Sequence, residues 1–256
     1  MTKPHSRHRG APGTGGLWLY GLHAVKAALA NPLRTSRRCV LTARAAEEIG
    51  ATLLRRADVE TADAERVGRL LPPGAVHQGA ALLCDPLPRR DLEEILGAPG
   101  RKIVLVLDQI TDPQNVGAIL RSAAALDAAA VIVQDRHAPP ETGPLAKAAS
   151  GGLDMLPYLK VVNIARTLEQ LGRAGFWRIA LVGDGNEPLA QARSNGDMAL
   201  VLGSEGTGLR HLVRAHCDTS AYIPICDRME SLNVSNAAAI ALYECRRAPD
   251  AAASLP

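Results

Sequence analysis

Three apolar runs in the second half of the chain, at 103–107, 198–202 and 221–225, each end in a polar loop, and each loop is followed by a run with helical spacing. Continuous apolar runs of this length suit strands buried on both faces, as in a parallel sheet covered by helices. The loops are 112–117 (Asp-Pro-Gln-Asn-Val-Gly) with Arg121 just beyond, 203–208 (Gly-Ser-Glu-Gly-Thr-Gly) and 231–236 (Ser-Leu-Asn-Val-Ser-Asn). Loops leaving the carboxyl ends of strands in an open α/β sheet share one rim, where ligands bind. The pattern predicts an α/β fold with one site assembled from three loops.

Taken in order, the chain divides into five parts. Residues 1–16 are Gly, Pro, His and Arg with almost nothing apolar and read as a disordered tail. Residues 17–85 alternate short strands (18–21, 38–42, 59–61, 80–84) with helices (23–30, 45–57, 64–70), a small α/β unit. Prolines, Arg89-Arg90 and a short acidic helix mark a linker at 86–100. A second α/β unit runs over 101–247, with strands at 103–108, 130–134, 156–161, 177–183, 198–202 and 221–225. Its helices are expected at 115–126, capped by Asp112 with Pro113 in the first turn, and at 143–149, 164–174 and 236–246. Residues 248–256 read as a second tail.

No apolar run reaches the roughly 18 residues of a membrane span, and no apolar signal core follows the basic N-terminus. The five cysteines form no C-x-x-C pair, which fits reduced thiols in a cytoplasmic protein. Residues 1–99 hold 14 Lys+Arg against 10 Asp+Glu, so the basic excess of a chain with net charge +3 lies N-terminally. That half is suited to a polyanion, although a solvated charged face accounts for the charge equally well.

The glycines of 203–208 are spaced G-x-x-G-x-G, which is neither the dinucleotide fingerprint nor a P-loop, and Glu205 would repel a polyphosphate. Arg121 lies four residues after Gly117, so on a helix it would lean back over a position without a side chain, toward Asn115. Ser231 and Asn233 alternate as on an extended segment, with Ser235 as the expected cap of the last helix. His211 and His216 lack the acidic setting of a metal site, and no metal is expected. His77-Gln78-Gly79 reads first as a turn.

Together, Asp112-Pro113-Gln114-Asn115-Val116-Gly117-Ala118-Ile119-Leu120-Arg121, Leu202-Gly203-Ser204-Glu205-Gly206, and Ile223-Pro224-Ile225 with Ser231-Leu232-Asn233-Val234-Ser235 closely resemble the three motifs of the SpoU (TrmH) family of RNA ribose 2′-O-methyltransferases. Tyr20-Gly21-Leu22-His23-Ala24-Val25 and His77-Gln78-Gly79 resemble the small RNA-binding domain of its ribosomal-RNA branch. The resemblance implies a SPOUT-type domain with a C-terminal trefoil knot, a homodimer, S-adenosylmethionine as methyl donor and a guanosine in the peptidyl-transferase region of 23S rRNA as substrate. It implies a catalytic group of Asn115, Arg121, Glu205, Ser231 and Asn233. Cofactor contacts would fall on Leu202, Gly203, Gly208, Ile223, Ile225 and Leu232, largely through backbone. A tRNA ribose target, or an RNA-binding assembly protein without catalysis, are the alternatives. Asn236 departs from the family pattern, where a small apolar residue is commoner.

Overall fold

A computed structural model describes residues 16–247. Apart from Gly16, the tails expected at 1–16 and 248–256 lie outside the described residues.

The first unit is a four-stranded sheet of β1 (Leu17–Tyr20), β2 (Ser36–Leu41), β3 (Val59–Thr61) and β4 (Ala80–Cys84), in the order β1-β4-β2-β3. It carries α1 (Leu22–Ala30), α2 (Ala43–Ile49), α3 (Ala51–Leu54) and α4 (Ala64–Arg69). The single helix expected at 45–57 is broken at Gly50, whose φ of 89° lies outside the helical region. A short helix, α5 (Leu92–Leu96), follows; Asp91 and Glu94 form a reciprocal capping box at its start.

The second unit is a seven-stranded parallel sheet in the order β7-β6-β5-β10-β8-β11-β9. In chain order its elements are β5 (Ile103–Asp108), α6 (Pro113–Ala125), β6 (Ala130–Gln134), α7 (Gly143–Ala149), α8 (Gly152–Met155), β7 (Tyr158–Val161), α9 (Ile164–Arg173) and β8 (Trp177–Leu181). Then come β9 (Glu187–Pro188), α10 (Leu189–Ala192), β10 (Met198–Gly203), α11 (His211–Ala215), β11 (Thr219–Tyr222) and α12 (Val234–Arg246).

Alternation along the central strands divides the core. Ile103, Leu105 and Leu107 of β5 join Leu200 and Leu202 of β10 under α6, α7 and α12. Val104 and Val106 join Ala199 and Val201 under α5, α9 and α11. Both faces are therefore covered, as the apolar runs predicted.

Several boundaries in this unit differ from expectation. The strand expected at 221–225 ends at Tyr222. Pro224 has no N–H to give a ladder, and the chain turns out of the sheet. The helix expected from 236 starts at Val234, capped by Asn233 and not by Ser235. The strand expected from 156 starts at Tyr158, because α8 precedes it.

The two units share one apolar cluster, in which Leu19, Val25, Leu29 and Leu82 adjoin the residues under α6 and α7. Gly143 permits this approach, since a Cβ there would stand 2.3 Å from the Tyr20 ring. Arg34 fastens it: its Nε reaches Asp154 at 2.8 Å and its Nη1 reaches Glu141 at 3.3 Å, and its side chain has no exposed surface.

Candidate active site

The register of the parallel sheet sets the rim. Gly203 of β10 stands opposite Asp108 of β5, Leu202 opposite Leu181 of β8, and Ala221 of β11 opposite Leu181 as well. Four strands thus end at one level, and the segments leaving β8, β10 and β11 line a cleft of about 810 Å³. Leu202, Gly203, Gly208, Ile223, Ile225 and Leu232 all line it.

The 203–208 loop folds back on itself. A Cβ on Gly203 would lie 2.2 Å from the carbonyl carbon of Gly208, so only glycine admits this approach. Gly206 and Gly208 hold φ of 93° and 65°, the Gly208 N–H donates to the Ser204 carbonyl at 2.9 Å, and the Ser204 and Thr207 hydroxyls meet at 2.6 Å. Asp108, fully buried at the end of β5, anchors the loop: its carboxylate accepts from Arg210 Nη2 (2.6 Å), Nε (2.9 Å) and N–H (3.0 Å). Sequence reading missed this pair. Its one visible signal is an acidic residue closing an apolar run, where an unpaired charge would be costly.

The 224–232 segment contributes main chain. Among the described residues its backbone makes one hydrogen bond, from Met229 N–H to the Cys226 carbonyl at 3.1 Å. Ile225 and Leu232 line the cleft, and their backbone N–H and C=O groups have no partner among the described residues, which leaves them for a purine edge or a polar amino-acid tail. The residues present therefore fit an adenosine-type cofactor held by backbone.

At the mouth, the polar side chains converge. Asn233 Oδ1 accepts from the Ser235 N–H (2.9 Å) and Oγ (2.6 Å), which fixes the amide orientation. Its Nδ2 then donates to Glu205 Oε1 at 2.8 Å and Asn115 Oδ1 at 3.0 Å. Glu205 Oε1 also accepts the Val234 N–H at 3.2 Å. Asn115 is held in turn by Asp112, which accepts from the Gln114 and Asn115 N–H groups at 3.1 and 3.3 Å. The cap expected at Asp112 is present, and Asn233 serves as helix cap and network hub together.

Ser231 lines the cleft exposed and has no hydrogen-bond partner among the described residues. Arg121 does not join the cluster: it is exposed on α6 without a partner among those residues. Nor does Gly117 clear space for it. A Cβ on Gly117 would lie 2.4 Å from the Ala148 Cβ, so that glycine serves the packing of α6 on α7. His216 has an acidic neighbour after all, Glu169 of α9 at 2.9 Å, yet no group of three metal-ligating side chains occurs among the described residues. The 77–79 turn is a junction. Gln78 Oε1 accepts from the Leu22 N–H (3.4 Å) and from Lys147 Nζ of α7 (2.5 Å). Among the described residues no helix is long and apolar enough to cross a membrane.

An α/β sheet whose rim carries a backbone-lined cleft beside an Asn-Glu-Asn network suits transfer of a group from a bound cofactor to a hydroxyl. Residues 102–243 match the SpoU rRNA methylase family, and residues 18–90 match the RNA 2′-O ribose methyltransferase substrate-binding family. The chain belongs to the SpoU rRNA methylase family. It is 36% identical to the 23S rRNA (guanosine-2′-O-)-methyltransferase RlmB of Vibrio vulnificus, over 90% of this chain and 96% of the relative. The fold is that of the SpoU methyltransferase AviRb from Streptomyces viridochromogenes, solved in complex with AdoMet: TM-score 0.75 at 24% identity, covering 91% of this chain and 89% of that one. A structure concerned with 2′-OH methylation of C/U34 on tRNA matches 57% of this chain and 94% of its own, with TM-score 0.52 and 29% identity.

Proposed function

We propose that this protein transfers a methyl group from S-adenosylmethionine to the ribose 2′-hydroxyl of a guanosine in the peptidyl-transferase region of 23S rRNA. The observation that carries the reading is the hydrogen-bonded meeting of Asn115, Glu205 and Asn233 beside a cleft lined by free backbone groups. Likeness to the RlmB enzyme over 90% of the chain favours an rRNA target, because the tRNA-related structure matches little more than half of it.

Bound S-adenosylmethionine supplies an electrophilic methyl on a sulfonium, and the protein has to align a hydroxyl behind that carbon. Asn115 spends its Oδ1 on Asn233, so its NH₂ remains to hold a ribose oxygen. Glu205, with one oxygen on Asn233 and the Val234 N–H, keeps the Asn233 amide turned toward Asn115. Ser231 lines the cleft, and Asn233 is tied to its edge through Glu205. Arg121 carries a guanidinium, a group that proteins do not use as a proton acceptor. Its role is to bind the phosphate beside the target ribose and so favour the departing proton.

The working form is a homodimer in the cytoplasm. Ile240 and Tyr243, 43% and 61% exposed, form an apolar patch on α12, which packs on the helix bearing Arg121. The path from β11 through the 223–233 segment to α12, packed on α6, is consistent with a C-terminal trefoil knot.

The test is transfer of labelled methyl from S-adenosylmethionine to unmodified 23S rRNA and to unmodified tRNA, with the product nucleoside mapped. Methyl on a guanosine ribose of the 23S rRNA, lost in Arg121→Ala while cofactor affinity is kept, is the expected result. Methyl on tRNA alone would overturn the substrate, and no transfer to either the activity.

A further inference from the structure

Seven of the chain's residues are aromatic, and two of them, Trp18 and Tyr20, face one groove of about 680 Å³ between the first sheet and the β5–α6 loop. No charged side chain lines this groove; Pro113 and Pro140 form part of its wall and Thr111 part of its rim. Two of its lining residues belong to the loop that carries the proposed catalytic network: Thr111 and Pro113 flank Asp112, whose carboxylate holds the Asn115 N–H at 3.3 Å.

The hydrogen-bonding ends of both aromatics are unspent. Tyr20 is 6% exposed, yet its hydroxyl has no partner among the described residues. The Trp18 indole N–H has none either, whereas the chain's other tryptophan, Trp177, donates its indole N–H to the Ala192 carbonyl at 3.0 Å. Trp18 is half-buried and the unpaired Tyr20 hydroxyl keeps some exposed surface, so both polar ends are open to a ligand. Here they border an apolar slot walled in part by the loop that leads to Asn115.

We propose that this groove is a base-binding subsite, in which an unpaired nucleobase of the RNA stacks on Trp18 and is read at its edge by Tyr20. The proposal rests on the methyltransferase reading above and adds a specificity element to it. A slot without charge does not suit phosphate, and the neutral, flat part of a nucleotide is its base. Indole and proline rings supply flat apolar faces, and RNA is recognised in sequence mainly through unstacked bases of single-stranded regions. Trp18 and Tyr20 alternate on β1 with Leu17 and Leu19, so one face of the strand joins the shared core while the other carries the subsite, with the Tyr20 ring set against Gly143.

Methyl transfer to an unmodified 23S rRNA fragment is measured for the native chain and for Trp18→Ala, Trp18→Phe and Tyr20→Phe, alongside cofactor affinity. Trp18→Ala is expected to raise the KM for RNA about 10-fold with cofactor affinity unchanged, and Trp18→Phe to stay within about 3-fold of native. In a Trp177→Phe background Trp18 is the only indole. Its fluorescence is expected to be quenched by a single-stranded oligoribonucleotide and not by inorganic polyphosphate. A folded Trp18→Ala chain with native KM, or absent quenching by single-stranded RNA, overturns the subsite while methyl transfer by the native chain leaves the enzyme reading standing. Quenching in a chain that transfers no methyl overturns the enzyme reading and keeps the subsite.

Discussion

Asn233 and Asn115 stand 118 residues apart in the chain, and Nδ2 of the first donates to Oδ1 of the second at 3.0 Å. The direction of that bond is set locally, because Asn233 has already committed its Oδ1 to capping α12. A helix cap thus decides which face Asn115 turns to a substrate.

Asn233→Ala and Asn233→Asp separate the two duties. Alanine removes the cap and costs about 1 kcal/mol, which in a chain of this size lowers Tm by roughly 2–4 °C. Aspartate keeps the cap but sets a second carboxylate against Glu205. Both variants should lose about 100-fold or more in kcat; alanine lowers Tm through the lost cap and aspartate through repulsion from Glu205, and only the aspartate variant's loss should shrink with added salt. Native turnover in Asn233→Asp would remove the amide from the mechanism.

Gly203→Ala should fold with a displaced loop, because the new Cβ meets backbone atoms of Gly208 and Leu209 at 2.2 and 2.4 Å and neither can rotate away. Calorimetric titration with S-adenosylmethionine is expected to give at least a 10-fold weaker Kd, a loss of about 1.4 kcal/mol.

Arg34→Ala leaves Asp154 and Glu141 facing each other at the junction of the two units without their cation. Breaking a buried ion pair from one side costs about 3–5 kcal/mol. Chemical denaturation should register that loss, and Arg34→Lys should recover only part of it because a single ammonium cannot also reach the Asp85 carbonyl.

Below neutral pH, Asp218 makes a readable contribution to stability. Its hydrogen bonds from Arg178 hold its carboxyl below the usual carboxylate range. A folded-state pKa lower than the unfolded one means the stabilisation is complete above about pH 4 and fades as pH falls through the folded value. Melts between pH 5 and pH 3 should therefore fall more steeply for the native chain than for Asp218→Asn.

Cysteine labelling tests whether the cleft at the sheet rim holds the cofactor. Burial pushes the thiols of Cys39, Cys84, Cys217 and Cys245 up to about 12, whereas Cys226 is exposed and lines the cleft. A thiol reagent at neutral pH should modify Cys226 first, and S-adenosylmethionine should slow that step. Equal rates with and without cofactor would place the cofactor elsewhere.

The sequence by itself determined the layered α/β architecture, since unbroken apolar runs such as 103–107 can be buried only in a covered parallel sheet. It also determined the three loops, because Asp-Pro-Gln-Asn and a triple-glycine turn have few other uses at strand ends. Tertiary structure alone decided how they engage. The Asp108–Arg210 anchor, 102 residues apart, joins a strand end to a loop that local propensity treats separately. Gly117 and Arg121 share a helical face in sequence, but α7 occupies the space beside that glycine. Trp18 on β1 and Thr111 beside the 112–117 loop border one groove only because the two units close on a shared core. Period and turn chemistry are properties of neighbours along the chain, whereas a site is a property of neighbours across it.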